Sequence, residues 1–238
     1  MDRAHIDTAD SHWNRLCRIG GTAALMQLVC SLITMVVVFT LGAEPGAANE
    51  YFEVLQNNRL VGLLRLDFPS VVTMALYYLT FSGLYSALRR TNGAYAALAV
   101  VIASAGITLW LARHSAFSMI YLGDQYAAAT TEAQKFQFLA AGEAIIASDM
   151  WHSTSGFVAG LLLESAAVLI SVVMLRSEFF NKATAYVGIL THGFDLIHVI
   201  VNLFLPGKGD FLMIVAGPLY PIWFFLVGRG LFRLTSKE

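Results

Sequence analysis

Residues 156–175 read Gly156-Phe-Val-Ala-Gly-Leu-Leu-Leu-Glu-Ser-Ala-Ala-Val-Leu-Ile-Ser-Val-Val-Met-Leu175. A helix needs about 20 mostly apolar residues to cross a bilayer core, and this stretch supplies them with Glu164 as its one ionisable side chain. The whole chain has the same character: of its 238 residues 57% are hydrophobic and 13% charged, with a mean hydropathy of +0.65. A soluble domain carries about 25% charged residues to cover its surface, so half of that supply is missing. The composition excludes disorder and a disulfide scaffold, and 15 Lys+Arg against 16 Asp+Glu exclude a nucleic-acid partner. The expected fold class is all-α, a polytopic membrane helix bundle whose first partner is the lipid bilayer.

Six windows of this kind follow from their charged flanks: Ile19–Leu41, Phe68–Leu88, Ala94–Tyr121, Gly156–Leu175, Ala183–Leu205 and Phe211–Phe232. Residues 19–234 then form one six-helix transmembrane domain. Residues 1–18 precede it as a cytoplasmic lead-in, where His12, Trp13, Leu16 and Cys17 beside Arg15 and Arg18 suggest an amphipathic segment on the membrane surface. Asp2, Asp7 and Asp10 and the lack of a small-residue cleavage site argue against a removable signal. Cys17 and Cys30 lie roughly 20 Å apart along one helix and cannot bridge.

Basic residues set the orientation. With the amino terminus inside, the cytoplasmic side holds Arg3, Arg15, Arg18, Arg89, Arg90, Arg176, Lys182, Arg229, Arg233 and Lys237, and the other side holds Arg59, Arg65, Arg113, Lys135 and Lys208, ten against five. That asymmetry predicts both termini cytoplasmic. On the outer side, Tyr51, Phe52, Val54, Leu55, Leu60, Leu63 and Leu64 fall near a helical stripe, as do Phe136, Phe138, Leu139, Ile145 and Ile146. Each stripe predicts an interfacial or re-entrant helix over the bundle mouth.

Ionisable groups inside spans are costly and mark functional candidates. At 1.5 Å per residue, Glu164 lies roughly 16 Å from the cytoplasmic end of its span, with His192 at about 13 Å and Asp195 at about 18 Å on the next, so the three share a mid-depth layer. Glu164 is the candidate proton-transfer residue there. A neutral carboxyl bonded to His192 is the competing reading. Arg113, His114, Asn202 and Asp67 fall roughly 27 to 32 Å up, with His198 about a turn below, and His152 and Asp149 join this upper layer if the fourth helix extends outward. These residues predict an outward-facing polar cavity, with Asp67, Arg113, His114 and Asn202 as its ligand-binding groups. A structural ion pair from Arg113 to Asp67 or Asp149 is the plainer alternative.

Asp149-Met-Trp-His152 and Asp195-Leu-Ile-His198 both read Asp-x-x-His, which puts a carboxylate and an imidazole on one helix face. Two facing pairs of this kind resemble in principle the Glu-x-x-His ligands of two-metal bundles, so Asp149, His152, His192, Asp195 and His198 are candidate ligands for a divalent metal, Zn or Fe. A hydrogen-bonded network explains the same spacing. Facing imidazoles also raise haem. Trp110, Trp151 and Trp223 read as interface anchors or packing, and Gly156-x-x-x-Gly160 as a site of close helix approach, within the bundle or across a homodimer. Pro218 and Pro221 free backbone carbonyls near Ile214 and Gly217, which predicts a kink.

The stretch Leu175-Arg-Ser-Glu-Phe-Phe-Asn-Lys-Ala-Thr-Ala-Tyr-Val-Gly188 and the run Phe224-Phe-Leu-Val-Gly-Arg-Gly-Leu-Phe232 are similar to the junction of the fourth and fifth spans and to the closing run of a six-span bacterial family, domain of unknown function 4386. Asn181 and Ala183 stand where that family often has Pro and Trp. The resemblance implies a protein of the bacterial cytoplasmic membrane and carries no catalytic residues with it. The expected function is a membrane module whose outer cavity binds a small ligand or lipid headgroup, or an accessory subunit beside another membrane protein. The alternatives are a metal-dependent hydrolase or oxidase using the two Asp-x-x-His pairs, and a haem-binding subunit.

Overall fold

The computed structural model describes residues 3–42, 44–149 and 152–235, which leaves Trp151 outside the described residues. All regular structure among them is helical: α1 (Arg3–Leu41), α2 (Ala48–Asn57), α3 (Arg59–Arg65), α4 (Phe68–Arg113), α5 (Ala116–Ala128), α6 (Glu132–Ala147), α7 (Thr154–Met174), α8 (Lys182–Phe204), α9 (Asp210–Ala216) and α10 (Leu219–Thr235). Among the described residues, five helical stretches are long and apolar enough to cross a membrane: Ser11–Leu41, Phe68–Ala128, Thr154–Met174, Lys182–Phe204 and Asp210–Leu234.

The second of these is not one rod. Asn92 holds a non-helical conformation inside α4, φ −156° and ψ 86°, and its side chain accepts a hydrogen bond from the Tyr95 amide, capping the helix that follows. The Tyr78 and Thr108 hydroxyls are 2.6 Å apart. Thirty residues of straight helix would separate them by about 45 Å, so the chain must reverse at Asn92. α4 is thus a hairpin with arms 68–91 and 93–113, and the third apolar window, expected to run to Tyr121, ends at Arg113. The chain turns through His114 and Ser115 there, and α5 starts separately.

The long helices close into a ring in which α1 packs on α4, α4 on α7, α7 on α8, α8 on α10 and α10 on α1. Glycine sets the closest approaches. A Cβ on Gly83 would stand 2.8 Å from the Gly20 Cα, and one on Gly106 would stand 2.8 Å from the Leu163 amide, so α1 meets α4, and α4 meets α7, nearly backbone to backbone. Gly160 faces the Val199 side chain instead, which keeps the Gly156-x-x-x-Gly160 face inside this bundle. Tyr77, Phe81, Ile107, Leu163, Ile170, Trp223 and Phe224 fill the interior.

Residues 11–18 continue α1 without a break and pack on the bundle rather than standing apart from it. Cys17 is buried, the Arg89 guanidinium lies 4.3 Å above the Trp13 ring, and Ser86 donates to the Trp13 carbonyl. At the opposite end α2, α3, α5 and α6 form a cap with its own apolar cluster of Tyr51, Phe52, Leu66, Ala116 and Met119. Glu143 of α6 accepts the Ala48 amide at 2.8 Å and so ties α6 to the start of α2. Asp67 makes the turn into α4 at φ 51°, a left-handed conformation that aspartate tolerates better than most side chains, and it accepts from Thr34 of α1 at 3.2 Å.

The last apolar window, expected as a kinked helix over Phe211–Phe232, is two helices. Pro218 lacks an amide proton, α9 ends at Ala216, and α10 begins at Leu219. This break sets the height of Tyr220, in the first turn of α10.

Candidate functional site

Glu164 occupies the centre of α7, ten residues from each end of the 21-residue helix. Its Oε2 lies 2.7 Å from Nδ1 of His192 on α8 and 3.2 Å from the Tyr220 hydroxyl on α10. The same hydroxyl lies 2.5 Å from Oδ2 of Asp195, one turn beyond His192 on α8. The result is one unbroken chain of hydrogen bonds, Asp195–Tyr220–Glu164–His192, built from three helices. Glu164 and His192 are buried, while Asp195 keeps partial exposure.

Proton counting constrains this chain. A phenol has one proton, so Tyr220 donates to one carboxyl and must accept from the other. In one arrangement Asp195 is the carboxylate that accepts from Tyr220, and Glu164 carries a proton that it donates to the Tyr220 oxygen. In the other, Asp195 donates to Tyr220 and Tyr220 donates to a Glu164 carboxylate. The two differ by the concerted shift of two protons and move one negative charge between α8 and α7. His192 presents Nδ1 to Glu164 in both.

Around the chain the walls are aromatic. The His192 ring meets Tyr220 and Trp223 edge to face, with centroids 5.2 and 4.5 Å away. His192 Nε2 and Trp223 Nε1 are buried and lack a hydrogen-bond partner among the described residues. Trp223 Nε1 is turned toward Gly188, where a Cβ would stand 2.4 Å from it. A packing role for Trp223 accounts for its ring but leaves this buried N–H unexplained.

The upper group of expected residues is not gathered in one place. Asp67 serves the α3–α4 turn, where burial pushes its carboxyl above the usual carboxylate range against hydrogen bonds from Ser70 and Thr34 that lower it. Arg113 is exposed and forms no ion pair among the described residues, so the bridge to Asp67 or Asp149 is not formed. His114 accepts the Ala116 amide at Nδ1, 3.2 Å away, and leans on Trp110. Asn202 accepts the Gly209 amide and donates to Asp210 at 2.9 Å each, and His198 Nδ1 lies 3.1 Å from the Gly209 carbonyl, so both hold the α8–α9 turn.

The two Asp-x-x-His pairs likewise stay apart. α7 begins at Thr154, so Asp149 and His152 sit in the turn before it, not on an extended helix. There the exposed His152 ring meets the buried Asp149 carboxylate at 3.0 Å. Asp195 is engaged by Tyr220, and among the described residues no three His, Cys, Asp or Glu side chains are grouped as a metal-ion set. Asp149, His152, His192, Asp195 and His198 therefore do not form one ligand sphere.

Sequence reasoning missed Tyr220. The signal was available: counting back twelve residues from Phe232 places it roughly 18 Å up, level with Asp195. An open groove of about 580 Å³ lies elsewhere, between α5 and α6, and its lining of Phe117, Tyr121, Leu122, Ala141, Ala144 and Ile145 is apolar apart from Ser118. Comparison with protein-family profiles, with curated proteins and with solved structures returns no match for this chain.

Proposed function

We propose that this chain is a six-span protein of a bacterial cytoplasmic membrane, with both ends on the cytoplasmic side, that works through a proton-exchanging centre in the middle of its bundle. The reversal at Asn92 supports six spans, because it divides the longest apolar stretch into two passes. The excess of Lys and Arg at the end of the bundle that holds both chain ends supports the orientation. The resemblance to the six-span bacterial family points the same way. The cap of α2, α3, α5 and α6 then lies on the outer side.

The observation that carries the functional reading is the Tyr220 hydroxyl held 2.5 Å from Asp195 and 3.2 Å from Glu164. A purely structural polar contact needs one donor and one acceptor. Two carboxyls on one hydroxyl, with an imidazole behind, form a device for redistributing protons at mid-membrane, where ionisable groups are retained for relays and ion pathways. The break at Gly217–Pro218 sets Tyr220 beside them in the manner of the interrupted helices of transporters. The reading is of a proton-linked membrane module, acting alone or beside a partner subunit.

Infrared difference spectroscopy of the purified protein tests it. Between about pH 5 and pH 8 the wild type should show a change in a buried carboxylic C=O band, and Glu164→Gln and Asp195→Asn should each remove or shift that band. A wild-type spectrum with no carboxyl response, or a response unchanged in both variants, overturns the reading.

A further inference from the structure

We infer that the buried centre exchanges protons with the capped, outer side of the bundle alone, through a polar file on α8 and α9 formed by His198, Asn202 and Asp210. The inference rests on the proposed proton-exchanging role and adds its sidedness. Three independent observations support it.

The first is the distribution of polar side chains along α8. Above His192 the positions Asp195, His198 and Asn202 follow at intervals of three, three and four residues, which places them on one inclined face. That face looks toward α9 and α10. Asn202 donates to Asp210, which is exposed at the capped end, and its amide nitrogen also lies 3.4 Å from His198 Nδ1. One turn of helix separates His198 from Asp195, a gap of the size that a single water bridges. The titratable and charged groups facing Asp195 are Glu164 from α7, Tyr77 from α4, Tyr220 from α10 and His192 and His198 on its own helix; Asp210 from α9 stands at the head of the file.

The second is what lies on the other side of His192. Toward the end of the bundle that holds the chain ends, Ile170, Met174, Ala185, Val227 and Leu231 are each 0% exposed. The two hydroxyls nearest the centre on this side are used locally, since Ser171 donates to the Ala167 carbonyl and Thr191 to the Val187 carbonyl of their own helices. The third is the far end of the chain itself. His192 Nε2 is buried and meets no hydrogen-bond partner among the described residues, so the file has no next member in that direction. Partial exposure is confined to Asp195, at the near end, and Tyr220 beside it, while Glu164 and His192 are buried.

The step balances simply. A proton from the outer solvent passes through His198 to the Asp195 carboxylate and neutralises it; release reverses the transfer. Within the centre the Tyr220 hydroxyl accepts from one carboxyl as it donates to the other, with no further reactant.

Stopped-flow infrared spectroscopy after a pH jump tests the inference by the rate of the carboxyl band. His198→Ala and Asn202→Ala should slow it on the order of tenfold or more, while Thr191→Val and Ser171→Ala leave it at the wild-type rate. His198→Gln, which retains an amide able to bond the Gly209 carbonyl, should slow exchange while the protein melts as the wild type does, which separates proton transfer from the integrity of the turn. In oriented proteoliposomes a jump on the capped side should give the fast response and a jump on the opposite side should not. Wild-type rates in all His198 and Asn202 variants, or a fast response from the opposite side, overturn the sidedness and leave the proton-exchanging centre standing. No carboxyl response in the wild type removes both.

Discussion

At the scale of single residues, mid-depth polar chemistry was legible because a charged side chain inside an apolar span has few explanations. Depth counting singled out Glu164, His192 and Asp195, and the structure sets them in one cluster through a residue that the count passed over. Tyr220 escaped because a tyrosine in a membrane protein is ordinarily an anchor or a filler, and its hydroxyl announces itself only when two acceptors meet it. The upper residues scattered because depth fixes height and says nothing of azimuth: Arg113 and Asn202 share a level without facing one another. Tyr220→Phe should leave the protein folded and cost about 1–3 kcal/mol, because the phenyl ring keeps its packing while a buried carboxyl loses its donor; melting in detergent measures it. His192→Ala should cost more, about 3–5 kcal/mol, since it leaves a hole and takes from buried Glu164 its shorter hydrogen bond, leaving only Tyr220. Asp67 carries a pH dependence outside the spans. Its carboxyl is raised by burial, so the folded state binds its proton more tightly than the unfolded state, and the associated stability is present at low pH and lost as pH rises through the folded value. The wild-type melting temperature should accordingly fall as pH is raised from about 4, and Asp67→Asn, which suits the same left-handed turn, should flatten that slope.

At the scale of helices, apolar windows located the long helices and misjudged where they stop, while α2, α3 and α6 lay outside every window. The third window ran on to Tyr121 because α5 is as apolar as a span, although it packs sideways into the cap beside Phe52 and Leu55. Hydropathy cannot separate a helix buried under lipid from one buried under protein. The last window hid an interruption, because Pro218 and Pro221 announce a defect without saying whether it bends the helix or ends it. Close packing was legible only as a motif of small residues, and the sharper contacts are Gly20 with Gly83 and Gly106 with Leu163. Gly83→Ala and Gly193→Ala make a matched pair. The first forces a Cβ to within 2.8 Å of a backbone atom and should destabilise; the second meets nothing within 4 Å. The expected costs are about 1–3 kcal/mol for the first and none, or a gain of about 0.5–1 kcal/mol, for the second. Equal melting temperatures for the two variants would show that α1 and α4 are not in this close contact.

At the scale of the whole molecule, the parity of crossings decides which side the proton file opens to. If the stretch Phe68–Ala128 crossed once, the chain would cross five times and its ends would lie on opposite sides. The Tyr78–Thr108 contact argues for two crossings there, because hydroxyls thirty residues apart meet only if the helix folds back. Six crossings return the chain to its starting side and place Asn92 and residues 176–181 with both ends. They also place the cap, Asp210 and the top of the α8 file together on the other side. Reporter insertions after Asn92, Thr130, Glu178 and Gly207 separate the two cases. Six crossings predict that a cytoplasm-dependent fluorescent reporter is active after Asn92 and Glu178, and that a secreted phosphatase is active after Thr130 and Gly207. A phosphatase signal after Asn92 would break the pairing of the α4 arms. It would also reverse the direction assigned to the polar file, because every element beyond residue 92 would change sides. Topology is therefore the cheapest measurement on which the sidedness of proton exchange depends, and it can be made in cells before any protein is purified.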